Sequence, residues 1–318
     1  MKVAIIGATG HIGTYLVPRL VEKGHRVVAI SRGKNRPYRE HRLWKYVEQV
    51  VIDRDKAEAE GTFGSQIAAL DADVIIDLLC FTTQSAKQLV EQVRNKVEHL
   101  LVCGSVWAYG AVGLYPTKES DYPRPICDYG EAKSHIERYL LQQARAEGLP
   151  ATVIHPGHIV GPGWLPVNPQ GNFNAEVWHT IAQGRRLLLP HMGMETVHHA
   201  HADDVASVFI AAMENWSASV GESFFALSEQ AVSLRYFAQS MFDYFFQEEN
   251  IEYASWEEFT KRVSQEDAAF SYDHISKSPS GSIDKAKRVL GYHPSYTSLE
   301  AVEEAVEFIL QADKRLKR

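Results

Sequence analysis

Cysteine is scarce in this chain, with only Cys80, Cys103 and Cys127 among 318 residues. Three thiols cannot build a disulfide framework, and their number fits a reducing compartment such as the cytosol. Positive charge is also short. Lysine and arginine number 33 against 40 aspartates and glutamates, a formal net charge of −7, which argues against a nucleic-acid binder that works through a global basic field. The longest charge-free stretch, residues 151–175, is rich in proline and glycine and would not cross a bilayer as a helix. The apolar N-terminal stretch is interrupted at Gly7 and Gly10, too early for the core of a signal peptide. Neither an internal repeat nor a low-complexity segment is present. With 45% hydrophobic and 23% charged residues, the chain reads as a cytosolic globular protein, either one domain or one domain with a lobe.

What the sequence does have is alternation. Strand-like apolar runs fall near residues 3–6, 26–30, 49–52, 74–79, 100–103 and 152–155. Helical patterns fit 11–23, 64–70, 83–96 and 129–147 between them. Such alternation predicts an α/β fold with a doubly wound parallel sheet and right-handed crossovers. Gly24 and Gly148 stand where helix C-caps are expected, and Pro18 is expected to kink or bend the first helix. After Pro156 the pattern changes to a loop followed by scattered helices and short strands, with helices near 203–216, 234–246 and 299–312. Residues 1–156 are therefore expected to form a nucleotide-binding Rossmann domain. Residues 157–318 would form a smaller substrate lobe over the strand ends, with some segments returning to the first domain.

The first strand leads into Gly7-Ala8-Thr9-Gly10-His11-Ile12-Gly13, and a helix pattern begins at once. Gly7 permits a turn that no side chain would fit, Gly10 lets backbone N–H groups approach a pyrophosphate, and Gly13 lets the helix pack on the strand. The free N–H groups at the helix start then face the phosphates, with Thr9, His11 and Ile12 in the same turn. A second signal is Tyr129-Gly130-Glu131-Ala132-Lys133, with Ser105 upstream. Tyr129 and Lys133 share one helix face. A lysine ammonium near a phenol is expected to lower its pKa from about 10 toward neutrality. Such a tyrosine exchanges a proton with a substrate hydroxyl while hydride moves to or from a nicotinamide, and Ser105 orients the same oxygen.

These motifs resemble the extended branch of the short-chain dehydrogenase/reductase superfamily, the NAD-dependent epimerase/dehydratase family. The resemblance covers most of the chain. It implies that Gly7, Gly10 and Gly13 form the glycine motif, that Asp53 contacts the adenine, and that Ser105, Tyr129 and Lys133 are catalytic. The run His155-Pro156-Gly157-His158-Ile159 looks like the family's Arg-Pro-Gly segment beside the nicotinamide, with His155 in place of arginine. His201-Ala202-Asp203-Asp204 is similar to its His-x-x-Asp helix start. Residues 282–294 with Leu299 onward look like its C-terminal helix pair. Arg54, Leu79, Cys80 and Phe81, together with Pro156, Gly157, His158 and Ile159, complete the candidate cofactor contacts. No Asp-Glu pair follows Ser105, where Val106 and Trp107 stand, so sugar dehydration is disfavoured. Glu195-Thr196-Val197 occupies the place of an arginine that holds the diphosphate in sugar-nucleotide epimerases.

The second strand ends in Ser31-Arg32 rather than an acid, followed by Lys34, Arg36, Arg39, Arg42 and Lys45. An acid there would bond the ribose 2′-hydroxyl, whereas guanidinium matches a 2′-phosphate. NADP(H) is therefore favoured, with NAD(H) as the alternative. Phe81, Ser105, Trp107, His158, Trp164 and His201 are the candidate substrate contacts. The histidines His191, His198, His199 and His201 invite a metal reading, but loop residues and a helix start account for them, so no metal is expected. The leading expectation is an oxidoreductase or epimerase acting at a secondary alcohol or ketone of a small molecule. The alternatives are a nucleotide-sugar epimerase and, in another class, a dinucleotide-sensing or RNA-associated protein with little turnover. Neither a membrane nor a nucleic acid is favoured as partner; a homodimer is compatible with such a chain.

Overall fold

Val3, Ala4, Ile5 and Ile6 are all buried because β1 (Lys2–Ile6) has a parallel neighbour on each side. Successive strand side chains point to opposite faces, and both faces here are covered. Val3 and Ile5 pack into one core with Ile12, Leu16 and Val17, while Ala4 and Ile6 enter another with Phe63, Leu89 and Ile136. A near-continuous apolar run is what a strand between two helical layers requires.

The structure, a computed structural model, describes residues 1–111 and 113–312. β1 is followed by β2 (Arg26–Ser31), β3 (Glu48–Val51), β4 (Val74–Asp77), β5 (His99–Cys103) and β6 (Ala151–Pro156). The lobe half contributes β7 (His158–Val160), β8 (Leu187–Pro190), β9 (Thr196–Val197), β10 (His199–His201), β11 (Ser223–Ala226), β12 (Val232–Ser233) and β13 (Ile251–Ala254). Seven strands form one sheet in the order β11-β6-β5-β4-β1-β2-β3, every pair parallel. This is the doubly wound α/β sheet expected from the alternation. The edge strand β11 comes from beyond residue 156, where the sequence pattern suggested short strands without locating them.

Helices α1 (His11–Glu22), α2 (Arg54–Ala59), α3 (Phe63–Ala68), α4 (Thr83–Val93) and α5 (Asp128–Glu147) lie between the first six strands. α1 continues through Pro18, which is buried. Gly24 and Gly148 both have positive φ just past their helices; the Gly24 N–H donates back to Val21 O, and the Leu149 N–H after Gly148 donates back to Gln143 O. The lobe half holds α6 (Glu176–Ala182), α7 (Ala202–Glu214), α8 (Trp216–Ser219), α9 (Leu234–Tyr244), α10 (Trp256–Arg262), α11 (Gln265–Ile275), α12 (Asp284–Leu290) and α13 (Ser298–Ala312). α7 and α12 share the core of α1 through Val205, Phe209 and Ala286. A third core, around Trp178, Phe237, Phe242 and Val302, belongs to the lobe. Among the described residues no helix is long and apolar enough to cross a membrane.

Candidate active site and cofactor cavity

The turn after β1 is shaped by backbone contact. Gly7 N–H donates to Ile30 O at 3.0 Å and Gly10 N–H to Gly7 O at 3.0 Å. A Cβ on Gly13 would meet Ala8 O at 2.2 Å, so only glycine lets α1 start this close to the turn. Gly10 is the N-cap of α1 and supplies no side-chain cap. The first N–H groups of α1 therefore lack intrahelical partners. They open toward a cavity of about 660 Å³ lined by Gly7, Thr9, Gly10, Ser31, Arg32, Arg54, Leu79 and Phe81. Arg54 Nη2 in that wall is buried with no hydrogen-bond partner. An uncapped helix start, a roomy cleft and an orphaned guanidinium N–H together suit a dinucleotide.

Not every expected cofactor residue faces this cavity. Asp53 caps α2, accepting the Lys56 N–H at 3.4 Å, and its neighbours Ile52, Arg54 and Asp55 line the cavity instead. Arg54 is anchored before it reaches the cavity, by Glu58 Oε1 at 2.6 Å and Asp77 Oδ1 at 2.8 Å. Cys80 offers its carbonyl, and burial pushes its thiol up to about 12. The side chains of Arg32, Lys34 and Arg36 have no hydrogen-bond or ion-pair partner among the described residues.

Ser105, Tyr129 and Lys133 come together where β5 ends and α5 begins. Ser105 caps a 3₁₀ turn over Val106–Tyr109, its Oγ accepting the Trp107 N–H at 3.2 Å. Tyr129 is 41% exposed. Lys133, one turn later, is buried and donates to Cys80 O at 2.7 Å and Cys103 O at 2.8 Å. Its ammonium lies 4.8 Å from the Phe81 ring centroid and 5.7 Å from that of Tyr129. The expected lowering of the phenol pKa is corrected here. Desolvation pushes Tyr129 up to about 12, the Cys103 thiol adds to the rise, and a hydrogen bond with Ser105 opposes it.

Behind Ser105 sits a pair that sequence reasoning missed. The Ser105 N–H donates to His155 Nδ1 at 3.0 Å, and His155 Nε2 stands 3.1 Å from Glu137 Oε1. Glu137 lies one helical turn beyond Lys133, so the spacing Tyr129, Lys133, Glu137 was the available signal. Trp107 faces Tyr129 edge-on with centroids 5.7 Å apart, and also meets His158 at 6.1 Å and His274 at 5.3 Å. Lys277 Nζ lies 4.0 Å over the Trp107 ring. Nothing in the motifs pointed to His274 or Lys277.

Of the six substrate candidates, Phe81, Ser105 and Trp107 gather around Tyr129 and Lys133, and His158 joins them through the Trp107 ring. The other two do different work. Trp164 stacks on His11 at 3.7 Å. His201 caps α7 through Nδ1, stacks on Tyr296 at 3.9 Å, and places Nε2 at 2.8 Å from Glu304. Pro156 closes β6, Gly157 donates to Ala226 O at 3.4 Å, and His158 and Ile159 pair with β10. His198 bonds Ser228 O, His199 bonds Ser298, and His191 pairs with Glu195. Among the described residues, no group of three or more histidines, cysteines or acids is placed to hold a metal.

A family model described as the NAD dependent epimerase/dehydratase family matches residues 3–225. The chain is 25% identical to a chloroplast stem-loop binding protein of 41 kDa (form b) from Arabidopsis thaliana, over 96% of this chain and 78% of that protein. It is 24% identical to tetraketide alpha-pyrone reductase 2 from the same plant, over 68% of this chain and 74% of the reductase. In three dimensions it is similar to a UDP-glucose 4-epimerase from Thermotoga maritima solved with UDP-glucose. That match has a TM-score of 0.74 at 20% identity and covers 98% of this chain and 99% of the other.

Proposed function

Since the chain belongs to the NAD-dependent epimerase/dehydratase family of enzymes, we propose that it reduces a carbonyl of a small molecule to a secondary alcohol, using NADP(H), with Tyr129 as the proton donor. The observation that carries this reading is the convergence of three side chains: Ser105 hydrogen-bonds the Tyr129 phenol, and the buried Lys133 ammonium lies 5.7 Å from the phenol ring centroid. A phenol in that position can give its proton to a carbonyl oxygen as negative charge develops there. A bound nicotinamide dinucleotide supplies the hydride. Ser105 Oγ holds the substrate oxygen in line with the phenol. Lys133 has three N–H donors, two of them directed at Cys80 O and Cys103 O, which leaves one for a cofactor ribose. The free side chains of Arg32, Lys34 and Arg36 in the cavity wall suit a 2′-phosphate.

The test follows NADPH absorbance with a panel of carbonyl compounds and nucleotide sugars. Consumption of NADPH one for one with alcohol product supports the proposal. The likeness to an epimerase solved with UDP-glucose supports a second reading, in which one sugar carbon is oxidised and re-reduced. Isomerisation of a nucleotide sugar with no net absorbance change would establish that reading instead. The stem-loop binding relative motivates a third, RNA-associated reading, which the net charge of −7 opposes. Tight binding of a stem-loop RNA at physiological salt, without turnover of any substrate in the panel, would favour it.

A further inference from the structure

His11, Tyr38 and Trp164 come from three separate segments and meet in one stack. The His11 ring lies flat on Trp164, with centroids 3.7 Å apart and planes 9° from parallel. Tyr38 closes the group at 4.7 Å from His11 and 4.9 Å from Trp164. The loop is shaped for this contact. Gly163 has φ +107, and a Cβ there would fall 2.9 Å from the Tyr38 ring, so no other residue lets the chain pass without displacing the tyrosine. The Trp164 indole N–H donates to Ile159 O at 3.2 Å and fixes the ring. Burial lowers the His11 imidazole to about 4. It is neutral at physiological pH and contributes a stacking surface rather than a cation.

Residues 32–41 contain no helix or strand, yet Arg32, Lys34 and Arg36 line the cofactor cavity. The segment is held at its far end. Tyr38 N–H donates to Thr14 Oγ1 at 3.1 Å, the Tyr38 ring enters the stack, and Arg39 lies 5.7 Å from the Tyr15 ring centroid. Tyr38 also lines the cavity, whereas Trp164 does not. We infer that Trp164, from the lobe half of the chain, is a specificity-positioning residue for the dinucleotide: by clamping His11 and Tyr38 it pre-orders the basic segment that grips a 2′-phosphate. Ordering an irregular segment costs conformational entropy, and a clamp that meets this cost before binding shows up as affinity. The benefit falls on the ligand that needs the segment, which is NADPH rather than NADH.

The inference rests on the NADP(H) reading above, and the experiment separates the two. Dissociation constants for NADPH and NADH are measured by calorimetry on the full chain and on Trp164→Ala, Trp164→Phe and Trp164→Leu, with circular dichroism to check folding. Trp164→Ala is expected to weaken NADPH by about 5- to 10-fold, the scale of losing aromatic pair contacts, and NADH by less than about 2-fold. Trp164→Phe should recover most of the loss. If Trp164→Ala fails to fold, Trp164→Leu carries the same expectation, since Trp164 lies outside the cavity wall. Unchanged NADPH affinity, or equal weakening of both dinucleotides, would overturn the inference. A wild-type protein that binds both dinucleotides equally would instead refute the NADP(H) reading, and the inference with it.

Discussion

His155 and Glu137 form a buried pair, Nε2 to Oε1 at 3.1 Å, directly behind Ser105. The imidazole Nδ1 lies 3.0 Å from the Ser105 N and 3.1 Å from the Ser105 carbonyl oxygen, so both ring nitrogens are engaged at polar groups of the site. Burial alone would raise the Glu137 pKa. His155, Ser223 and Tyr109 outweigh it and hold the carboxyl below its usual range.

A lowered native pKa has a definite sign in stability. The contribution of Glu137 is fully present above the unfolded value of about 4.3 and is lost as pH falls through the lower folded value. Glu137→Gln should cost about 1–3 kcal/mol at pH 7. It should also show a flatter melting-temperature profile than wild type as pH falls below about 5. Thermal melts across that range check this, and parallel profiles for the two proteins would show that the carboxylate does not carry the pair.

Arg54 and Asp77 make a second buried pair, which joins the cofactor cavity to the end of β4. Arg54→Met leaves the Asp77 carboxylate buried without its cation, and the expected cost is about 3–5 kcal/mol. Adding Asp77→Asn should recover part of that loss, because the stranded charge disappears. Urea unfolding of the two single variants and the double variant gives the coupling. Strictly additive costs would mean that the pair does not act as a unit.

The sheet and the glycine turn were legible in the sequence because each rests on local information. Val3 to Ile6 is a run that only a two-sided strand buries, and Gly7, Gly10 and Gly13 have a spacing that packing demands. The Tyr129 and Lys133 pair was legible through helical spacing. The behaviour of Lys133 was not, since its two acceptors are the carbonyls of Cys80, in the loop after β4, and Cys103, at the end of β5. β11 was invisible because Ser223–Ala226 is a short run whose role depends on the edge offered by β6. Trp164 and His201 read as site residues from the motifs around them. Their rings are instead claimed by His11 and Tyr296, partners far away in sequence.

Cofactor preference is expected to reside in Arg32. Arg32→Ala should weaken NADPH by about 10-fold, the loss of a charge-assisted contact, and leave NADH nearly untouched. Fluorescence titration of both dinucleotides decides it. Equal weakening would place Arg32 at the pyrophosphate or in support of the fold.

Tyr129→Phe asks whether the phenol carries the proton beside a bound dinucleotide. The substitution removes the hydroxyl and keeps the ring, which faces Trp107 at 5.7 Å. Measured together on the folded variant, the dinucleotide dissociation constant should stay within about 2-fold of wild type, while turnover of the substrate found in the panel falls by about 10² or more. Near-normal turnover in Tyr129→Phe, with the cofactor bound, would show that the Tyr129 hydroxyl does not carry the proton.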